Sequence, residues 1–181
     1  MAIELNNLIF VHCPKTGGKF ITKCLLESVE NCIQIGHPVW DGHIRYSLYN
    51  KMTFGYIRHP ISFLESLWSH RKRKKVYDAK KFNWQDYVRL ERICQSDNFH
   101  EFLINVSNHE DIVWDFYMYY LGGHRQIRLL KFENLLPSLM DILEEFNVKY
   151  DKKKVKYFSS FRRASVLEIY FTHNSWIIFF N

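Results

Sequence analysis

The sequence predicts an α/β fold: a small, mostly parallel sheet with helices on both faces and a helical segment in the middle of the chain. Three observations predict it. Short apolar runs rich in β-favouring residues alternate with stretches whose apolar residues recur every three or four positions. Strands separated by helices in this order make βαβ units. No Pro-, Gly- or Ser-rich linker interrupts the 181 residues, so residues 1–181 form one domain.

Leu8-Ile9-Phe10-Val11 is the first buried strand, ending near Cys13. A helical pattern follows from Lys19 to Glu30, with Phe20, Leu25 and Val29 among its apolar positions. Cys32 to Ile35 is a second strand, stopped by Gly36-His37-Pro38, and Met52 to Ile57 a third, ending at Arg58. Pro60 stands where the next helix begins, a position that tolerates its missing amide. That helix carries Ile61, Leu64 and Trp68 and ends in a basic run. The middle reads as helices through Trp84, Tyr87 and Val88, then Phe99, Phe102 and Leu103, then Val113, Phe116, Tyr117 and Tyr120, broken at Gly122-Gly123. Ile127 to Phe132 is a further strand, followed by a helix to Phe146 with Leu139, Ile142 and Leu143 in register.

Composition narrows the function classes. With 47% apolar and 24% charged residues, seven glycines and four prolines, the chain is neither disordered nor collagenous. No window holds the roughly 18 apolar residues that a membrane helix needs. Met1 to Asn7 lacks the layout of a signal peptide, so a cytoplasmic protein without membrane contact is expected. Cys13, Cys24, Cys32 and Cys94 show no paired spacing, which points to buried thiols rather than zinc or disulfides. The net charge is +6, and Arg71-Lys72-Arg73-Lys74-Lys75 supplies most of it: without that run, 20 basic residues face 19 acidic ones.

Val11-His12-Cys13-Pro14-Lys15-Thr16-Gly17-Gly18-Lys19 is the most informative segment. A strand enters a glycine-bearing turn and a helix starts at once, the layout that captures anions. Gly17 and Gly18 let the backbone curl around an oxyanion, Lys15 adds a mobile charge, and Thr16 offers a hydroxyl. A nucleotide-kinase loop would place its lysine after the last glycine. Here the lysine comes first, which argues against an ATPase or GTPase. Arg58-His59-Pro60 closes the third strand, and Ser66 lies two helical turns further on. Strand ends on one edge of an α/β sheet gather ligands, so Arg58 and Lys15 make two anion sites for a ligand with phosphate at both ends.

Pro-Lys-Thr-Gly-Gly after an apolar strand, then Ile57-Arg58-His59-Pro60 followed by Ser66, resembles the sulfotransferases that use 3′-phosphoadenosine 5′-phosphosulfate (PAPS), closest to the bacterial and carbohydrate-type members. Leu129-Leu130-Lys131-Phe132-Glu133-Asn134-Leu135 is similar to the family's strand-then-Glu-Asn/Asp-Leu segment. The resemblance implies a P-loop-like three-layer α/β/α fold over roughly residues 8–165. It implies PAPS as donor, adenosine 3′,5′-bisphosphate (PAP) as product, and no metal. It places the 5′-phosphosulfate on Lys15, Thr16, Gly17, Gly18 and Lys19, and the 3′-phosphate on Arg58 and Ser66. Where the family carries Thr or Ser after the glycine pair, this chain has Lys19 and Phe20. Phe161 to Ser165 is the candidate for the family's basic loop over the nucleotide.

The implied reaction needs a base for the proton of a hydroxyl or amine acceptor, and histidine suits neutral pH. His37, directly after the second strand, is the first candidate and His43 the second, with Asp41 and Glu133 behind them. His12 alternates along the first strand and reads as a packing residue. Arg71–Lys75 reads as a solvated helix end or as a guide for an acidic glycan acceptor. The run lacks interleaved aromatics, which argues against nucleic acid. The rival readings are a P-loop-like nucleotide-dependent phosphotransferase and a shortened, non-catalytic relative that binds nucleotide or polyanion.

Overall fold

The structure is a computed structural model that describes residues 2–35, 51–74, 90, 92–109, 111–121 and 127–162. His37, Asp41, His43, Lys75, the stretch Trp84 to Val88, and Arg163 to Ser165 lie outside the described residues. The described residues form an α/β unit with a mixed sheet. Its strands are β1 (Ala2–Glu4), β2 (Leu8–Val11), β3 (Ile33–Ile35), β4 (Met52–Ile57) and β5 (Ile127–Lys131). The helices are α1 (Gly18–Ser28), α2 (Pro60–Lys74), α3 (Phe99–Ser107), α4 (Ile112–Leu121), α5 (Leu135–Glu145) and α6 (Lys152–Arg162). A 3-10 turn, Phe132–Asn134, joins β5 to α5.

The strand order is β3-β1-β2-β4-β5. The β2-β4-β5 half is parallel, whereas β1 pairs antiparallel with both β2 and β3. This corrects the expectation of a mostly parallel sheet. The cause is the hairpin closed by Asn6-Asn7, in which Leu5 and Leu8 exchange backbone hydrogen bonds of 2.9 and 3.4 Å. It adds the three-residue β1, too short to show in the sequence pattern, and leaves β3 on the outer edge. Phe132 also departs from expectation: β5 stops at Lys131, and Phe132 opens the 3-10 turn.

Alternation along β2 sorts its side chains between two apolar clusters. Leu8 and Phe10 join residues of α1, α5 and α6, among them Leu25, Leu139 and Phe158. Ile9 and Val11 join residues of α2, α3 and α4, among them Phe63, Phe102 and Phe116. Local signals start the helices. Pro60 opens α2. Asn98 caps α3 by accepting the Glu101 amide hydrogen bond at 2.9 Å, and the Glu101 carboxylate accepts that of Asp97, one residue before the cap, at 2.9 Å. Asp151 accepts from the amides of Lys153 and Lys154 at the start of α6. Cys13, Cys24 and Cys94 are buried thiols; burial raises Cys13 well above its ordinary range and pushes Cys24 up to about 11.

Two features of this frame position the site. Parallel pairing puts the carboxyl ends of β2, β4 and β5 on one edge, with Val11 level with Gly55 and Ile57 level with Lys131. β3 reaches the same edge, because Ala2 pairs with both Val11 and Ile35. Two strand spacings, about 10 Å, separate Ile35 from Val11 along that edge. No helix among the described residues is long and apolar enough to cross a membrane.

Candidate functional site

At the end of β2 the chain turns through Pro14–Gly17 before α1 starts. Four non-glycine residues among those described have positive φ: Lys15 (68°), Asn31, Asp111 and Asn147. Asn and Asp visit that region readily; a lysine does so at a cost of about 1–2 kcal/mol. Backbone strain of this kind concentrates at binding sites. Gly17 is also left-handed (φ 76°), and Thr16 between them is not. Alternation of hand turns successive N–H groups into one concavity, the arrangement that cradles oxyanions.

Thr16 is 1% exposed, and its hydroxyl donates to the Cys13 carbonyl oxygen at 2.8 Å. That hydroxyl ties the turn together from within. Gly17 occupies the N-cap of α1 without a side-chain cap bond. Both glycines admit close neighbours. A Cβ on Gly17 would lie 2.9 Å from Phe132 Cε2, and one on Gly18 would lie 1.7 Å from His12 Cδ2. His12 thus packs on the first turn of α1. Lys15 is half-buried in the turn, and Lys19 is exposed on α1.

At the end of β4, the Arg58 backbone is held from both sides by one phenol. Its N–H donates to Tyr117 Oη at 3.0 Å, and the Tyr117 hydroxyl donates to the Arg58 carbonyl at 3.2 Å. Burial raises the Tyr117 pKa further above neutrality, so the hydroxyl keeps its proton at every pH of interest. Arg58 Nε donates to Ser62 Oγ at 3.0 Å, and Ser62 Oγ donates to the His59 carbonyl at 3.0 Å. The guanidinium carbon stands 4.7 Å from the Phe132 ring centroid. Beside it, Glu133 Oε1 accepts the His59 amide hydrogen bond at 2.9 Å. Phe132, at the end of β5, therefore touches the turn after β2 and the arginine after β4.

The structure brings Lys15, Thr16, Gly17, Gly18 and Arg58 to one sheet edge through Phe132. Ser66 is half-buried on α2, one turn beyond the Ser62 that engages Arg58. Of the basic run, Lys72 Nζ donates to the Gln95 carbonyl at 3.2 Å and lies 3.9 Å from Asp97, which anchors this part of the run to the segment before α3. Phe161 and Arg162 are the last residues of α6, so this part of the expected basic loop is helical. The sequence pattern assigns no site role to Ser62, and it marks Tyr117 only as an apolar position of its helix. A serine four residues after Arg58 carries a usable signal, since that spacing returns to the same helix face. Tyr117 carries none, because it comes from a distant helix.

A lysine, a concavity of amides and a guanidinium held over an aromatic ring are a donor set for oxyanions bound at two points. Among the described residues, no group of three or more His, Cys, Asp or Glu side chains is placed to hold a metal ion. No protein-family model, curated protein or solved structure matches this chain.

Proposed function

We propose that the chain is a sulfotransferase acting on PAPS, with a hydroxyl or amine acceptor, carbohydrate first among the classes, on a P-loop-like three-layer α/β/α scaffold. One observation carries this reading: Gly17 and Arg58 both meet Phe132, so a two-ended anionic donor finds a lysine-bearing turn and a guanidinium on one edge. The donor set fits such a ligand. Lys15, Lys19 and the amides of Thr16, Gly17 and Gly18 suit the 5′ end; Arg58 suits the 3′-phosphate, with Ser66 as its hydroxyl partner and Ser62 orienting Nε.

PAPS supplies an activated sulfuryl group, whose sulfur–oxygen bond to the 5′-phosphate breaks as the acceptor bonds to sulfur. Lys15 neutralises the charge that grows on the departing phosphate oxygen, and the strained turn holds it there beforehand. The acceptor proton goes to a base, His37 ahead of His43. The exit of β3 at Ile35 on the ligand edge supports His37.

Thermal unfolding with separate additions of PAP, PAPS, magnesium ATP and RNA tests the reading. PAP at a hundred times its Kd stabilises by about 2.7 kcal/mol, roughly 5–10 °C for a chain of this length. Magnesium ATP, which lacks the 3′-phosphate, should raise the melting temperature less than PAP does, and RNA should leave it where it was. An unchanged melting temperature at millimolar PAP contradicts the proposal, and a shift with magnesium ATP alone favours the phosphotransferase.

A further inference from the structure

Phe132 stands between the glycine turn and Arg58. It is half-buried at the point where β5 gives way to the 3-10 turn, and it packs against the apolar cluster under α1 and α5. One edge of its ring fills the space that a side chain at Gly17 would occupy. Its face lies under the Arg58 guanidinium. The neighbouring Glu133 holds the His59 amide, so the start of the β5–α5 connection grips the end of β4 at two successive residues. Arg58 is thus restrained on several sides: by Ser62 at Nε, by Tyr117 at its backbone and by the ring 4.7 Å from its guanidinium carbon.

We infer that Phe132 is a positioning residue that sets the orientation of the Arg58 guanidinium relative to the glycine turn, and so selects ligands carrying phosphate at both ends. This inference rests on the functional reading above. A guanidinium held over a ring by cation–π attraction, with its Nε fixed by a hydrogen bond to Ser62, keeps its remaining N–H donors in one place. A ring wedged against the turn gives that place a constant distance from the first amides of α1. An adenosine bisphosphate then meets both grips without reorganising the protein. A nucleotide with only the 5′-phosphate uses the turn alone and gains nothing from the stacked arginine.

Titration calorimetry with PAP and with adenosine 5′-monophosphate tests this on wild type, Phe132→Leu, Phe132→Tyr, Arg58→Ala and the Phe132→Leu/Arg58→Ala double variant. Leucine keeps apolar bulk but removes the ring face; tyrosine keeps the face and reports whether folding is intact. Phe132→Leu should lose about three- to tenfold in PAP affinity, the range for one cation–ring contact, and less than twofold for the monophosphate. Phe132→Tyr should restore PAP binding. In the Arg58→Ala background, Phe132→Leu should cost nothing further, the signature of a residue that acts through another. Equal losses for both nucleotides, or an equal loss with and without Arg58, overturn the inference and make Phe132 a direct or merely structural contact. Wild type that binds no PAP overturns the functional reading, and this inference falls with it.

Discussion

Lys15→Ala is expected to lower PAPS turnover by about 10²- to 10³-fold, the range for removing one preorganised charge from a developing anion. The backbone at Lys15 is left-handed, and alanine carries the same Cβ penalty there as lysine, so the loss should not come from unfolding. Lys15→Arg keeps the charge but changes its reach and should retain part of the rate. The melting temperature without ligand should shift by no more than a degree or two, while stabilisation by PAP shrinks. Steady-state rates and melting curves on the same preparations check this. Full turnover by Lys15→Ala would remove the lysine from the chemistry.

Gly18→Ala is expected to be the most damaging single methyl addition in the turn. Its Cβ would stand 1.7 Å from His12 Cδ2 and 2.4 Å from Cγ. Because Cγ sits near the root of the side chain, rotating the ring tip does not clear the clash. Overpacking of this kind costs about 1–3 kcal/mol, which lowers the melting temperature by roughly 3–10 °C at this chain length. The cost should fall sharply in a His12→Ala background, where the methyl enters vacated space. An equal loss with and without His12 would mean that the clash with the His12 ring is not what makes Gly18 necessary.

These two variants separate the roles that one turn combines. The glycine pair had two sequence-level explanations, room for an oxyanion and freedom of φ. The structure adds a third: His12 and Phe132 occupy the side-chain space of Gly18 and Gly17. No spacing rule announces that, because the two rings arrive from the end of β2 and from a segment over a hundred residues away. β4 and the start of α2 were legible, since Met52–Ile57 is a β-favouring run and Pro60 marks a first helical turn. The buried stripe of α5 was legible from its period. β1 was not: Ala2-Ile3-Glu4 is too short for periodicity, and only the hairpin through Asn6-Asn7 makes it a strand. Its antiparallel pairing in turn decides that β3 lies two strands from β2. Arg58 was legible as a cation at a strand end, but its partner there is Ser62, and its platform is a ring just past the end of β5.

The measurement closest to the central claim is the affinity of wild type and Arg58→Ala for PAP, adenosine 5′-monophosphate and adenosine 3′-monophosphate. If the turn and Arg58 grip opposite ends of one nucleotide, wild type binds PAP at least tenfold more tightly than either monophosphate. Arg58→Ala then brings PAP down to the level of the 5′-monophosphate and leaves the 5′-monophosphate unaffected. Equal affinity of wild type for all three, or an Arg58→Ala variant that binds PAP as wild type does, would contradict the claim that the two sites hold one ligand.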